Sequence, residues 1–106
     1  MKNFLSDNVS GISKEILESL TLANHGLVDS YGDDKETDKL NKNFDILFEN
    51  KVGSFPVVSG TAANSLAFAS CVPPYGAIFT SEESHINEDE CNAPEFYTGG
   101  AKVINV

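Results

Sequence analysis

The chain has 106 residues and a net charge of −9, from 16 acidic side chains against 7 lysines and no arginine. This length allows one domain at most, and a hydrophobic content of 41% is that of a globular protein. An acidic chain without arginine cannot neutralise phosphates, which argues against nucleic acid and anionic membranes as partners. Residues 1–8 turn polar too early for a signal peptide, so we expect a cytoplasmic protein.

The first half predicts two amphipathic helices. The first has Ser13 as its N-cap, ends at residues 24–26 and carries an apolar stripe with spacings of three and four: Ile16, Leu17, Leu20 and Ala23. The second is predicted over about 34–50, with Asp33 as N-cap and Glu36 completing a capping box. Its stripe consists of Leu40, Phe44, Leu47 and Phe48.

The second half predicts a βαβαβ order. Strands are expected at 55–58, 77–80 and 102–106, with a helix to about Cys71 after the first and one or two helical turns within 81–94. The first of these helices has no charged residue, which predicts burial on several sides, and Cys71 and Cys91 are expected to be buried, reduced thiols. Crossover helices imply that the strands are parallel. A parallel sheet needs both faces covered, and three strands leave its edges without neighbours, so we expect further strands to complete the sheet. We therefore expect residues 1–106 to be a single unit of a larger α/β domain, with helices in 1–50 and the start of the sheet in 51–106.

The turn at Ser59-Gly60-Thr61 is the strongest local signal for a binding site. It joins a predicted strand to a helix N-terminus, where unpaired N–H groups and the helix dipole favour an anion such as phosphate. The sequence is neither a Walker A loop nor a dinucleotide fingerprint. A tight turn with Thr61 as a simple N-cap remains the alternative.

His85 is the second signal, because it follows the carboxyl end of the strand at 77–80. Ligands of open α/β sheets collect beyond the carboxyl ends of the strands, where the Ser59 turn also lies. A solvated loop histidine is the alternative. The six carboxylates between residues 82 and 95 match no calcium loop and are interpreted as a solvated face, so no metal site is predicted.

Six segments, taken in order along the whole chain, resemble the threonine aldolases, pyridoxal-phosphate (PLP) enzymes of the aspartate-aminotransferase fold type that are also grouped as β-eliminating lyases. The segments are Phe4–Asn8, Ser30–Asp33, Ser59–Asn64, His85–Cys91, Ala93–Phe96 and Thr98–Lys102. No single segment is diagnostic, but their shared order and spacing are. The resemblance implies the N-terminal portion of a PLP-binding large domain, and cleavage of threonine or a related β-hydroxy-α-amino acid to glycine and an aldehyde.

The resemblance also implies roles for individual residues. Gly60, Thr61 and Ala62 correspond to the segment that holds the cofactor phosphate. His85 corresponds to the histidine that stacks on the cofactor ring and accepts a proton from the substrate hydroxyl, a role that suits an imidazole. Glu90 matches an acidic position with a supporting role.

Two further positions concern the substrate and a second subunit. Ser6 corresponds to a serine near the substrate carboxylate, and Tyr31 to a tyrosine that reaches the site from a neighbouring subunit. The resemblance thus implies a homo-oligomer or a complementary chain.

Three parts of the family's machinery have no counterpart in these 106 residues. They are the lysine that binds the cofactor covalently, the aspartate that protonates the ring nitrogen, and the arginines that clamp the substrate carboxylate. We therefore expect the chain alone to be inactive. The alternatives are a non-catalytic fragment that acts as a binding or assembly module, and a sibling PLP β-eliminating lyase.

Overall fold

The computed structural model describes residues 9–106, so the predicted site residue Ser6 lies outside the described residues. The chain divides into two compact units, Met1–Ser54 and Phe55–Val106. Among the described residues, no helix combines the length and the apolar character that crossing a membrane requires.

Helices α1 (Lys14–Ala23) and α2 (Lys35–Leu47) are the regular elements of the first unit. The predicted cap of α1 is confirmed, because the Ser13 hydroxyl accepts a hydrogen bond from the N–H of Ile16 at 3.3 Å. The α1 helix also ends where predicted, with Asn24 as its C-cap and Gly26 in left-handed backbone at φ 70°. Both amphipathic helices of the first half are therefore present.

The N-cap of α2 is Asp34, and the prediction of Asp33 is wrong. Asp34 has extended backbone, and its Oδ1 accepts hydrogen bonds from the N–H groups of Glu36 and Thr37, both at 2.9 Å. Its Oδ2 accepts from the Thr37 hydroxyl at 2.7 Å. Thr37 thus stands at the third helical position, which the capping-box interpretation gave to Glu36.

The two carboxylates that brace α2 make this unit sensitive to acid. The side-chain hydrogen bond from Thr37 holds the pKa of Asp34 below its ordinary value of 3.8. The hydrogen bond from the Lys51 ammonium, followed by that from the Val52 N–H, does the same to the pKa of Asp45. A carboxyl whose pKa is lowered by folding stabilises the fold above its unfolded-state value, and that stabilisation is lost as the pH falls through the folded-state value.

We therefore expect the helicity of the chain to hold from neutral pH to just above 3.8 and to fall below it. Circular dichroism between pH 7 and pH 2 measures this. Asp34→Asn keeps a good capping oxygen but cannot titrate, so it should flatten the acid limb of the curve. The matched control is Asp33→Asn, which removes a neighbouring exposed carboxylate and should leave the curve unchanged. Equal flattening by both variants would contradict the assignment to Asp34.

The second unit contains α3 (Gly60–Cys71), β1 (Ala77–Thr80), the short helices α4 (His85–Glu88) and α5 (Ala93–Thr98), and β2 (Lys102–Asn105). The strands β1 and β2 pair in parallel, with Ala77 opposite Lys102 and Thr80 opposite Asn105, which confirms the predicted pairing. The α4 and α5 helices form the connection between them. The α5 helix packs against α3, and the buried residues of this unit are Ser65, Ile78, Glu90, Pro94, Thr98 and Ala101.

The strand predicted at residues 55–58 is absent from the described structure, so the βαβαβ order is wrong in its first strand. Phe55 is 86% exposed and Val58 is fully exposed. A strand exists only where a neighbour accepts and donates its backbone hydrogen bonds, and the sheet in this unit contains β1 and β2 alone. Residues 55–58 therefore have the apolar pattern of a strand but no strand to pair with among the described residues.

The predictions of burial for α3 and the cysteines are also wrong. Of the 12 residues of α3, all of them described, Ser65 alone is buried. The α5 helix is the principal neighbour of α3 within residues 55–106, and it covers one face. Cys71 and Cys91 are free and exposed. Cys71 is the last residue of α3, which is covered on one face, and Cys91 lies in left-handed backbone before α5.

The turn from α5 into β2 is fixed by Thr98 and two glycines. The Thr98 hydroxyl donates to the Pro94 carbonyl at 2.8 Å and accepts from the Ala101 N–H at 3.1 Å. Gly99 has φ 77°, and the Gly100 N–H donates to the Glu95 carbonyl at 2.9 Å, as in a Schellman helix end. These bonds set the direction in which β2 leaves the helix.

Candidate functional site

The N-terminus of α3 presents backbone donors at an open surface. Ser59, not Thr61, is the N-cap, and its hydroxyl accepts from the Ala62 N–H at 3.2 Å. The N–H groups of Gly60 and Thr61, the first two helical residues, have no acceptor within the helix because their acceptors would precede it. Around Gly60 there is open space, since a Cβ built there meets nothing within 4 Å. This end of a 12-residue helix can accept an anion.

Glu90 joins α3 to His85. Its Oε1 accepts from the side-chain amide of Asn64 at 2.7 Å and lies 2.7 Å from Nδ1 of His85. Asn64 is four residues after Gly60, so it lies one turn further along the same face of α3. The hydrogen bonds of Glu90 therefore link His85 to α3 one turn from the N-terminus of that helix, whereas the strand that was predicted to lead into the Ser59 turn is absent within residues 9–106.

The carboxylate of Glu90 is buried, whereas the imidazole that it contacts is open to solvent. The Glu90 side chain is 0% exposed and that of His85 is 62% exposed. The second carboxylate oxygen, Oε2, is buried without a hydrogen-bond partner among the described residues. A buried carboxylate with a single engaged oxygen is costly, and such groups are retained at positions with a specific task.

The remaining predicted residues, Tyr31 and Ser6, lie outside the unit of residues 55–106 that contains this cluster. Tyr31 belongs to the first unit, where its side chain is fully exposed and its backbone is left-handed at φ 62°. Ser6 precedes the described residues. Among residues 9–106, no three His, Cys, Asp or Glu side chains come together as a set of metal ligands.

Asn64 is the site residue that the sequence did not single out for a role. Its amide is the only contact through which α3 reaches Glu90 among the side-chain hydrogen bonds of residues 55–106. One signal in the sequence could have indicated Asn64: it lies four residues after Gly60, and residues four apart share a helix face. The 26 residues that separate Asn64 from Glu90 hide the pairing from any local pattern.

Comparison with known proteins places the chain in a family. The family model described as "Beta-eliminating lyase" matches residues 3–106. The chain is 43% identical over 103 residues to "Low specificity L-threonine aldolase" of Pseudomonas sp. (strain NCIMB 10558), and 42% identical over 103 residues to the protein of that name in Pseudomonas aeruginosa. Each match covers 97% of this chain and 30% of the relative, so the chain spans about a third of the relatives' length. Because the family model matches nearly all of its residues, the chain belongs to the beta-eliminating lyase family.

Proposed function

We propose that these residues form part of the PLP-binding domain of an aldolase that cleaves threonine or a related β-hydroxy-α-amino acid to glycine and an aldehyde. The domain would have the aspartate-aminotransferase fold, of which β1, β2 and their crossover are a parallel portion. One observation carries the proposal: the hydrogen bonds of Glu90 link His85 to Asn64, which lies one turn from the α3 N-terminus. The names of the two Pseudomonas relatives agree with this reaction.

The residues at the α3 N-terminus fit the phosphate of PLP. The N–H groups of Gly60 and Thr61 are free to donate, and the absence of a Cβ at Gly60 lets an anion approach the backbone. Ala62 contributes differently from Gly60 and Thr61, because its N–H is engaged by Ser59. Its small side chain keeps the first turn of the helix open.

PLP, when bound, withdraws electrons from the substrate carbon that carries the amino group. The work left to this chain is to bind the phosphate and to move one proton. The His85 side chain is 62% exposed and its Nδ1 is engaged by Glu90, so we assign the acceptance of the substrate hydroxyl proton to Nε2. Ser6 and Tyr31 are proposed to contact the substrate, with Tyr31 acting from a neighbouring subunit.

A hybrid enzyme tests this function directly. In it, the present chain replaces the matched segment of the Pseudomonas aeruginosa relative, and the unmodified relative is the control. We expect the hybrid to bind PLP, detected by its absorbance, and to release glycine from threonine. A folded hybrid that binds PLP but releases no glycine would overturn the reaction, and a folded hybrid that binds no PLP would overturn the cofactor.

The chain by itself should have no aldolase activity. It contains no arginine to clamp a carboxylate, and it spans about a third of the relatives' length. We expect no glycine from threonine when PLP is added, and no PLP attached to any of the 7 lysines after borohydride treatment, as measured by mass spectrometry. Steady turnover by the chain alone would contradict the view that the cofactor-binding lysine, the ring-nitrogen aspartate and the substrate-clamping arginines lie outside these 106 residues.

A second candidate, an assembly module, is favoured by the apolar face of α1. Ile16, Leu17 and Leu20 lie on this face and are each more than half exposed. Contiguous apolar surface of this kind is typical of segments that associate with another chain. Size-exclusion chromatography of the chain, alone and with the rest of the relative added as a separate chain, distinguishes a monomer from a self-association and from a complex.

A further inference from the structure

The hydrogen bonds around Glu90 determine which nitrogen of His85 carries the proton. Glu90 Oε1 accepts a hydrogen bond from Nδ2 of Asn64. An amide nitrogen can donate hydrogen bonds but cannot accept them. A carboxylate oxygen can only accept, so in the 2.7 Å contact between the same oxygen of the Glu90 carboxylate and His85 Nδ1 the imidazole nitrogen is the donor. In a neutral imidazole with a proton on Nδ1, Nε2 holds the free lone pair.

We propose that Glu90 is a positioning residue that fixes His85 as the Nδ1–H tautomer, and that Asn64 holds Glu90 in place for this. The consequence for catalysis rests on the proposed function: with the proton on Nδ1, Nε2 is the nitrogen able to accept a proton. Glu90 itself touches no substrate in this arrangement, because its side chain is 0% exposed.

The burial of Glu90 explains why the tautomer is held firmly. Its Oε2 is buried without a partner among the described residues, so Oε1 carries all the hydrogen bonds that compensate the carboxylate. If the imidazole turned away or exchanged tautomers, the buried carboxylate would lose one of its two donors. The cost of leaving a buried charge less paired therefore opposes both movements of His85.

Nitrogen-15 NMR of the full 106-residue chain, without PLP or substrate, measures the tautomer at alkaline pH, where the ring is neutral. We expect His85 to show a protonated Nδ1 and an unprotonated Nε2, with no averaging between the two forms. His25 is an internal reference in the same spectra, since its Nδ1 lies 2.6 Å from the Leu22 carbonyl, which can only accept. A protonated Nε2 on His85, or an average of the two forms, would overturn the proposal.

Glu90→Gln supplies the second arm of the test, because glutamine keeps the shape of the side chain and offers both a donor and an acceptor. The fraction of the Nδ1–H form at His85 should fall, while His25 stays as it is. Glu83→Gln, which removes one exposed carboxylate, is the matched control and should leave both histidines unchanged. An unchanged His85 in Glu90→Gln would show that another group sets the tautomer.

The outcomes separate this inference from the proposed function. The NMR measurement needs neither PLP nor threonine, so an inactive hybrid would contradict the proposed function without affecting the tautomer assigned to His85. In an active hybrid, Glu90→Gln should lower kcat in proportion to the loss of the Nδ1–H form, about tenfold where that form falls to a tenth, while KM changes little. Equal losses in kcat for Glu90→Gln and Glu83→Gln would assign Glu90 a purely structural role.

Discussion

Replacing His85 by alanine in the hybrid enzyme is expected to lower kcat/KM for threonine cleavage by about 10²–10⁴-fold, the usual contribution of a positioned general base. His85 is the one titratable side chain of this cluster that is open to solvent, and its Nδ1 is engaged by Glu90, which leaves Nε2 as the nitrogen without a hydrogen-bond partner in the cluster. Without the ring, the carboxylate of Glu90 is the remaining titratable group of the cluster, and its Oε1 is already engaged by Asn64. Steady-state kinetics with threonine measure the loss.

The control for this substitution is His25→Ala, which removes the other histidine of the chain. His25 lies in the first unit and bonds to the Leu22 carbonyl, so kcat/KM should stay near that of the parent hybrid. PLP absorbance in both variants separates a loss of cofactor from a loss of chemistry. A His85→Ala hybrid that keeps its PLP and loses less than about tenfold in kcat/KM would exclude His85 as the base.

Local signals in the sequence were sufficient for the elements whose stability is local. The Ser13 cap, the end of α1 at Asn24 and the turn into α3 depend on residues within four positions of each other. The shift of the α2 cap from Asp33 to Asp34 shows the limit of this reasoning. Two adjacent aspartates offer the same oxygen to the helix, and the partner at the third helical position, Thr37, decides between them.

Predictions that depended on distant partners were less successful. The segment at residues 55–58 has the composition of a strand, but pairing requires another strand beside it, which no local pattern can supply. The uncharged α3 was likewise expected inside a core because of its composition, but burial requires neighbouring elements, and α3 is covered on one face. In the site, the sequence indicated the helix end and His85, whereas the Asn64–Glu90 link emerges only from the folded chain.

Placing a negative charge at the start of α3 should affect stability and cofactor binding in opposite directions. Gly60→Asp adds a carboxylate in open space at the first helical position, where a negative charge stabilises a helix by about 0.3–1 kcal/mol. The same carboxylate would stand where the PLP phosphate is proposed to bind. Like charges about 4 Å apart near a protein surface repel by about 4 kcal/mol, and exposure reduces this, so we expect PLP affinity to fall by about 10²-fold.

Gly60→Asn is the matched variant, because asparagine has the shape of aspartate without its charge. In the hybrid, PLP titration should give both variants a weaker affinity than the parent, because each adds a side chain where the phosphate is proposed to approach, and Gly60→Asp should be clearly the weaker of the two. Urea unfolding should show both variants at least as stable as the parent, since replacing glycine also reduces the freedom of the unfolded chain. A general defect in folding would lower stability and affinity together, so only a phosphate at the α3 N-terminus accounts for a loss of affinity in a protein that has become more stable. Equal losses of affinity in both variants would contradict the predicted effect of charge, and an unchanged affinity in both would place the phosphate elsewhere.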